Sequence, residues 1–217
     1  AILAASGVHG TKEKPPFDAV LVADDALVLV EMTTTSLTTK LLDSGDPQGF
    51  HEEVTTKFVP KIEQLNRAFS DLANGTWVIP DLDLRSITNV YPVLALLHPF
   101  PPFPLTVAPL HAIATRPDYY AFGSPPLATT YLHPLQLVTA EEFEMLEPFL
   151  TAKKQTLAEV LQQKTADPTS ACTSKSVKNY LLQELQWEEA PNDYLLAAFQ
   201  TVVNQCTQIL GVHLAPP

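Results

Sequence analysis

Two neighbouring runs of aliphatic residues constrain the fold of this chain more than any other feature. Residues 17–22 (FDAVLV) and 26–33 (ALVLVEMT) are separated only by Ala23, Asp24 and Asp25. Such runs favour extended strands, and so short a connection favours an antiparallel hairpin. Because apolar residues occupy both faces over most of each run, we expect two central strands that are covered on both sides.

A helix is predicted after a polar stretch that covers residues 34–49. Apolar residues then recur at helical spacing, and they would form one stripe along the helix: Val54, Phe58, Ile62, Leu65, Phe69 and Leu72. Pro60 lies within this pattern, so the helix either kinks there or begins there. Asn74 and Gly75 predict the end of the helix.

The remaining elements indicate an α/β fold, with helices flanking a mixed sheet. Residues 77–80, 90–97 and 135–138 are typical of strands. Two capping boxes predict helix starts, the first formed by Thr139 with Glu142 and the second by Thr156 with Glu159. A last helix is predicted from about 192 to 210. Strands therefore dominate the first part of the chain and helices the last part.

Composition narrows the function classes. The chain of 217 residues holds 20 prolines against 7 glycines, and the prolines concentrate between residues 80 and 134, which favours edge strands and long surface connections. A net charge of −11 disfavours nucleic acid as a partner and favours a partner protein. No apolar run is long enough for a membrane span, and no signal peptide is visible. Two cysteines are too few for a disulfide scaffold, so we expect a cytoplasmic protein.

The predicted hairpin opposes two carboxylates. A two-residue loop pairs Ala23 with Ala26, and the same register places Asp18 opposite Glu31. Opposed residues on antiparallel strands hold their Cβ atoms about 4.5–5.5 Å apart, so both carboxylates can ionise only if a cation lies between them. Mg²⁺ is the usual cation in such a place. The alternative is that both residues end strands at the solvent margin, each capped by backbone amides.

These residues carry a resemblance to a known family. Pro16-Phe17-Asp18, the hairpin and then Glu31-Met32-Thr33 resemble the PD-(D/E)XK motif of restriction-endonuclease-like nucleases. The resemblance covers roughly residues 16–160. It implies a restriction-endonuclease-like domain over residues 1–160, with a proline-rich insertion at about 98–134. The C-terminal helices within residues 161–217 would pack on the same domain.

The resemblance implies a metal-dependent nucleic-acid phosphodiesterase, or a descendant that has lost the activity. Asp18 and Glu31 would be catalytic residues that hold Mg²⁺ or Mn²⁺. Thr33 stands where the family has its lysine, which orients the attacking water and stabilises charge at phosphorus. Lys57 or Lys61, from the predicted helix, would replace that lysine as a catalytic residue. The alternative for both lysines is a solvated helix face.

A rival function comes from a different class. The acidic charge and the prolines also suit a non-catalytic domain of the same fold, which would bind a partner protein through its acidic, proline-rich surface. The sequence does not distinguish DNA from RNA as the substrate. A basic rim around Asp18 would favour nucleic acid, and an acidic rim would favour the partner protein.

Overall fold

The structure is a computed structural model that describes residues 2–4, 9–10, 17–98, 100, 110, 131–166, 176–187, 197–198 and 200–202. The strands are β1 (Ile2–Ala4), β2 (His9–Gly10), β3 (Ala19–Ala23), β4 (Ala26–Thr33), β5 (Trp77–Val78), β6 (Asn89–Leu96), β7 (Tyr131–Leu132) and β8 (Gln136–Thr139). The helices are α1 (Thr39–Ser44), α2 (Pro47–Lys57), α3 (Val59–Ala73), α4 (Ala140–Lys153), α5 (Leu157–Ala166) and α6 (Val177–Gln183), and Leu84–Ser86 form a 3₁₀ turn.

Six of these strands form one mixed sheet. The order runs β1-β3-β4-β6, and both β7 and β8 pair with β6. Strand β3 is antiparallel to β1 and to β4, whereas β6 is parallel to β4, β7 and β8. Strands β2 and β5 form a separate antiparallel pair. The predicted α/β class, a mixed sheet flanked by helices, is confirmed.

The hairpin has the predicted register. Ala23 pairs with Ala26 and Ala19 pairs with Val30, so the loop has two residues. Asp24 adopts a φ of 46°, a left-handed conformation that aspartate tolerates better than most residues do. Strand β3 begins at Ala19, two residues later than the sequence predicts. The difference arises at Asp18. Its backbone amide still donates to the Val30 carbonyl of β4, but the Met32 amide of β4 donates to the Asp18 side chain.

The sheet is covered by helices on both faces. Alternate residues of β4 belong to two separate cores, as the apolar pattern predicts. The core on the α3 face includes Leu27, Leu29, Ile62, Leu65 and Phe69. The core on the opposite face includes Val28, Val30, Leu146, Leu161 and Tyr180. Each of these side chains, when fully buried, contributes roughly 1.5–3 kcal/mol, so both helical layers stabilise the two central strands.

The apolar stripe forms two helices that are separated at Phe58. Phe58 has a φ of −106° and a ψ of −34°, and it ends α2 and precedes α3. Pro60 lies in the first turn of α3, where its missing amide costs no hydrogen bond. Of the two alternatives for Pro60, the structure therefore has the helix beginning there. Helix α3 ends at the predicted place, because Gly75 adopts a φ of 70° and its amide bonds to the Leu72 carbonyl.

Both capping boxes are present. Thr139 and Glu142 bond reciprocally at the start of α4, and Thr156 and Glu159 do the same at the start of α5. Helices α5 and α6 contribute to the core that contains Val28. The division of the chain at residue 160 stays a prediction. Within the described part of the chain, no helix is long and apolar enough to span a membrane.

Two predictions fall on segments that the structure describes only in small part. Of the proline-rich insertion at about 98–134, the described residues are 98, 100, 110 and 131–134. Of the last predicted helix, residues 197–198 and 200–202 are described, and they are helical. The rest of both segments lies outside the described residues.

Candidate functional site

Glu31 is a carboxylate in the middle of an aliphatic strand. It lies on the same face of β4 as Leu27 and Leu29, and its residue is 0% exposed. Five buried apolar residues precede it in β4, and their burial holds Glu31 inside the sheet. Burial of an ionised carboxylate is costly unless a cation and hydrogen bonds accompany it. An ionised Glu31 therefore needs a cation or hydrogen-bond donors next to its carboxylate.

Lys61 supplies a cation to Glu31. The Lys61 Nζ atom lies 2.6 Å from Glu31 Oε1, and the Lys61 side chain is 31% exposed. Lys61 precedes Ile62, the first buried residue of α3, so the packing of that helix on the sheet brings the lysine to β4. The ammonium thus contacts a buried carboxylate on one side and water on the other. Of the two lysines that the sequence proposes, Lys61 bonds directly to Glu31.

Asp18 lies at the end of the hairpin beside Glu31. Its backbone amide donates to the Val30 carbonyl over 3.1 Å, and its Oδ2 atom accepts a hydrogen bond of 2.8 Å from the Met32 amide. These two bonds flank Glu31 in β4, as the register requires. The amide contact also matches the alternative interpretation, in which the aspartate caps a strand end. Capping and metal binding are compatible, because a carboxylate has two oxygens and about four lone-pair sites.

Lys57 takes part in a different contact. Its Nζ atom lies 2.7 Å from Glu53 Oε2 and donates to the Ser36 carbonyl over 2.9 Å. The hydrogen bond from Lys57, followed by the one from Thr38, lowers the pKa of Glu53 to about 2. Lys57 therefore connects α2 to the segment that follows β4. This position suits a structural lysine and makes Lys57 a control for Lys61.

Thr33 is the residue at which the sequence resemblance would place a lysine. It is buried on the same face of β4 as Glu31, and its Oγ1 atom accepts a hydrogen bond of 3.1 Å from the Thr35 amide. The hydroxyl thus stabilises the turn where the chain leaves the sheet. Its uncharged side chain supplies no cation, so the cation beside Glu31 comes from α3.

A groove adjoins this site, and no pattern in the sequence indicates it. It has a volume of about 700 Å³, and mostly apolar side chains line it, including Met32, Ala95, Leu97 and Phe143. Lys61 and Thr33 also line it. Met32 is 52% exposed and Leu97 is 54% exposed. Met32 alternates with Glu31 and Thr33 along β4, so it faces the opposite side of the sheet.

A second polar cluster lies near the start of β6. The His133 ring stacks on Tyr91 with 4.0 Å between ring centroids, and its nitrogens contact Asn89 and Thr165. Burial lowers the pKa of His133 to about 4. Burial and then the Asp25 carboxylate raise the pKa of Tyr91 to about 12. Sequence spacing does not bring these residues together, because β6, the connection between β7 and β8, and α5 contribute them from distant parts of the chain.

The sequence proposes two carboxylates as the ligands of a metal ion. Asp18 and Glu31 offer oxygen ligands, which suit Mg²⁺ and Mn²⁺, and Mg²⁺ commonly binds proteins through one or two carboxylates. The described residues contain no group of three or more histidine, cysteine, aspartate or glutamate side chains that could hold an ion. Waters and substrate oxygens would therefore complete the coordination.

Comparison with known proteins gives one structural likeness. No protein-family model and no curated protein matches the chain. Among solved structures, the small subunit of the heterodimeric restriction endonuclease R.BspD6I is similar, with 12% sequence identity and a TM-score of 0.40. The match covers 87% of this chain and 81% of that chain. The function therefore has to be inferred from the residues around Glu31.

Proposed function

We propose that the chain is a metal-dependent phosphodiesterase that acts on nucleic acid. In this proposal Lys61 takes the role of the motif lysine, because Thr33 stands at the position of that lysine. The observation that carries the proposal is the 2.6 Å contact between Lys61 and the buried Glu31. The contact joins a carboxylate of the motif to a lysine from the following helix. Together with Asp18, it supplies the three charged groups that this chemistry needs.

Asp18 and Glu31 would hold Mg²⁺ or Mn²⁺. When bound, the ion would lower the pKa of a water molecule and offset the negative charge that develops at phosphorus. The Met32 amide fixes the Asp18 carboxylate at the end of the hairpin. The rigid central strand β4 fixes Glu31, so neither ligand has to be ordered when the ion binds.

Lys61 acts at the boundary between the buried carboxylate and solvent. Its ammonium is partly exposed, so it can donate to a phosphate oxygen or to the attacking water while it stays beside Glu31. A preorganised cation of this kind stabilises charge that develops in the transition state, and loss of one such donor costs about 10²–10³ in rate. Lys57, which bonds to Glu53 and Ser36, is not required.

The test is cleavage of labelled DNA and RNA by purified protein with Mg²⁺ or Mn²⁺. We expect wild type to cleave, and Asp18→Asn, Glu31→Gln and Lys61→Met each to reduce the rate at least about 100-fold. The matched control Lys57→Met should cleave at the wild-type rate. Activity that survives Glu31→Gln would show a contaminant. A wild type without activity would overturn the proposal in favour of the partner-binding alternative.

A rescue experiment tests whether the lysine has moved. Thr33 and Lys61 both lie close to Glu31, one next to it on its own strand face and one on α3. We expect Thr33→Lys to restore part of the activity that Lys61→Met removes, because either position presents an ammonium near the same carboxylate. A double variant as inactive as Lys61→Met, but folded, would contradict the idea that the two positions are equivalent.

A further inference from the structure

The apolar groove beside the site shares one residue, Lys61, with the proposed catalytic groups. Lys61 is one of its lining residues and also contacts Glu31. A phosphate held at Lys61 would therefore place the neighbouring part of the same molecule at the entrance of the groove. Lys61 is therefore shared between the ion pair and the lining of the groove.

The walls of the groove suit a flat, largely apolar group. Met32, Leu97 and Phe143 present a thioether, an aliphatic chain and an aromatic ring to it. Aromatic side chains stack on nucleobases, and a methionine sulfur contacts rings favourably. Its volume of about 700 Å³ lies within the range of roughly 300–1,000 Å³ that is typical of sites for small molecules.

Net charge favours a substrate that is recognised through a base. Binding of a duplex rests mainly on phosphate contacts from lysine and arginine, and this chain has 13 such residues against 24 acidic ones. Burial of a base in an apolar groove gains free energy without those contacts. A base in a duplex is stacked and paired, so it enters a pocket only after it has left the stack.

We infer that the groove is the binding site for one unpaired nucleobase, and that the substrate is single-stranded or locally unpaired nucleic acid. The inference rests on the proposed phosphodiesterase function and adds the substrate class to it. Lys61 would hold the phosphate, and Met32, Leu97 and Phe143 would contact the adjoining base.

The experiment measures cleavage of three substrates of equal length in the presence of Mn²⁺. They are a single-stranded pyrimidine homopolymer, its duplex, and an abasic sugar-phosphate polymer. The homopolymer is oligothymidylate if wild type cleaves DNA and oligouridylate if it cleaves RNA. Wild type should cleave the single strand at least 10-fold faster than either of the others. In Met32→Gln with Leu97→Gln, the ratio between the cleavage rates on the single strand and on the abasic polymer should fall at least 10-fold. The matched control is Val78→Gln, an equally exposed apolar residue on β5.

The outcomes separate the two proposals. Equal cleavage of the single strand, the duplex and the abasic polymer by wild type would overturn the base site and leave the phosphodiesterase intact. The base site would also be overturned, with the phosphodiesterase intact, if the double variant still cleaves the single strand faster than the abasic polymer by the wild-type ratio. A wild type that cleaves none of the three would overturn the phosphodiesterase and, with it, the base site.

Discussion

Removal of Lys61 should destabilise the fold much more than neutralisation of Glu31. In the Lys61→Met variant, a carboxylate that is 1% exposed loses an ammonium 2.6 Å away. Loss of one partner of a buried ion pair typically costs about 3–5 kcal/mol. In Glu31→Gln, the remaining ammonium is 31% exposed and can be solvated, so we expect a cost of about 1–2 kcal/mol. The difference follows from the unequal burial of the two groups.

The double variant Glu31→Gln, Lys61→Met should be nearly as stable as Glu31→Gln alone, because no buried charge remains. Urea denaturation followed by circular dichroism should therefore give a coupling energy of about 2 kcal/mol or more. Lys57→Met is the control, and it should lower the unfolding free energy much less than Lys61→Met does, because its partner Glu53 is accessible to solvent. A Lys61→Met variant as stable as Lys57→Met, or strictly additive effects, would refute this account of the buried charge.

Three further predictions concern stability. The folded state favours neutral His133, with a pKa of about 4, whereas the unfolded chain binds its proton near pH 6.5. Unfolding free energy should therefore fall by about 1–2 kcal/mol as the pH drops from 6.5 to 4, and parallel pH curves for wild type and His133→Gln would contradict this. Thr139→Ala removes the cap of α4 and should cost about 1 kcal/mol in urea denaturation, and an unchanged midpoint would contradict this. Gly75→Ala forces an alanine into φ 70° and should cost about 1–2 kcal/mol in the same assay; an unchanged midpoint would exclude strain there.

The hairpin and its register could be predicted from the sequence because both depend on local rules. Side chains alternate with a period of two, and a two-residue loop fixes which residues face each other. The same holds for α3, whose stripe and end are encoded by spacing and by Gly75. For these elements the tertiary structure adds little that the local pattern does not already contain.

The choice between Lys57 and Lys61 could not be predicted, because it depends on tertiary structure. The helical pattern runs through both lysines, and only the break at Phe58 and the packing of α3 on β4 direct Lys61 to Glu31. The groove and the His133 cluster depend likewise on residues far apart in the chain. Their members carry no common spacing, so no sequence pattern identifies them.

The central claim is that Asp18 and Glu31 hold one divalent ion, and calorimetric titration with Mn²⁺ tests it most directly. We expect the titration to give one ion per wild-type chain. At a Mn²⁺ concentration of 100 times the dissociation constant, the unfolding free energy from urea denaturation should be about 2.7 kcal/mol higher than without the ion. Asp18→Asn and Glu31→Gln should each weaken binding at least 10-fold, whereas Lys57→Met should bind like wild type. Equal Mn²⁺ binding by wild type and the two carboxylate variants would contradict the claim.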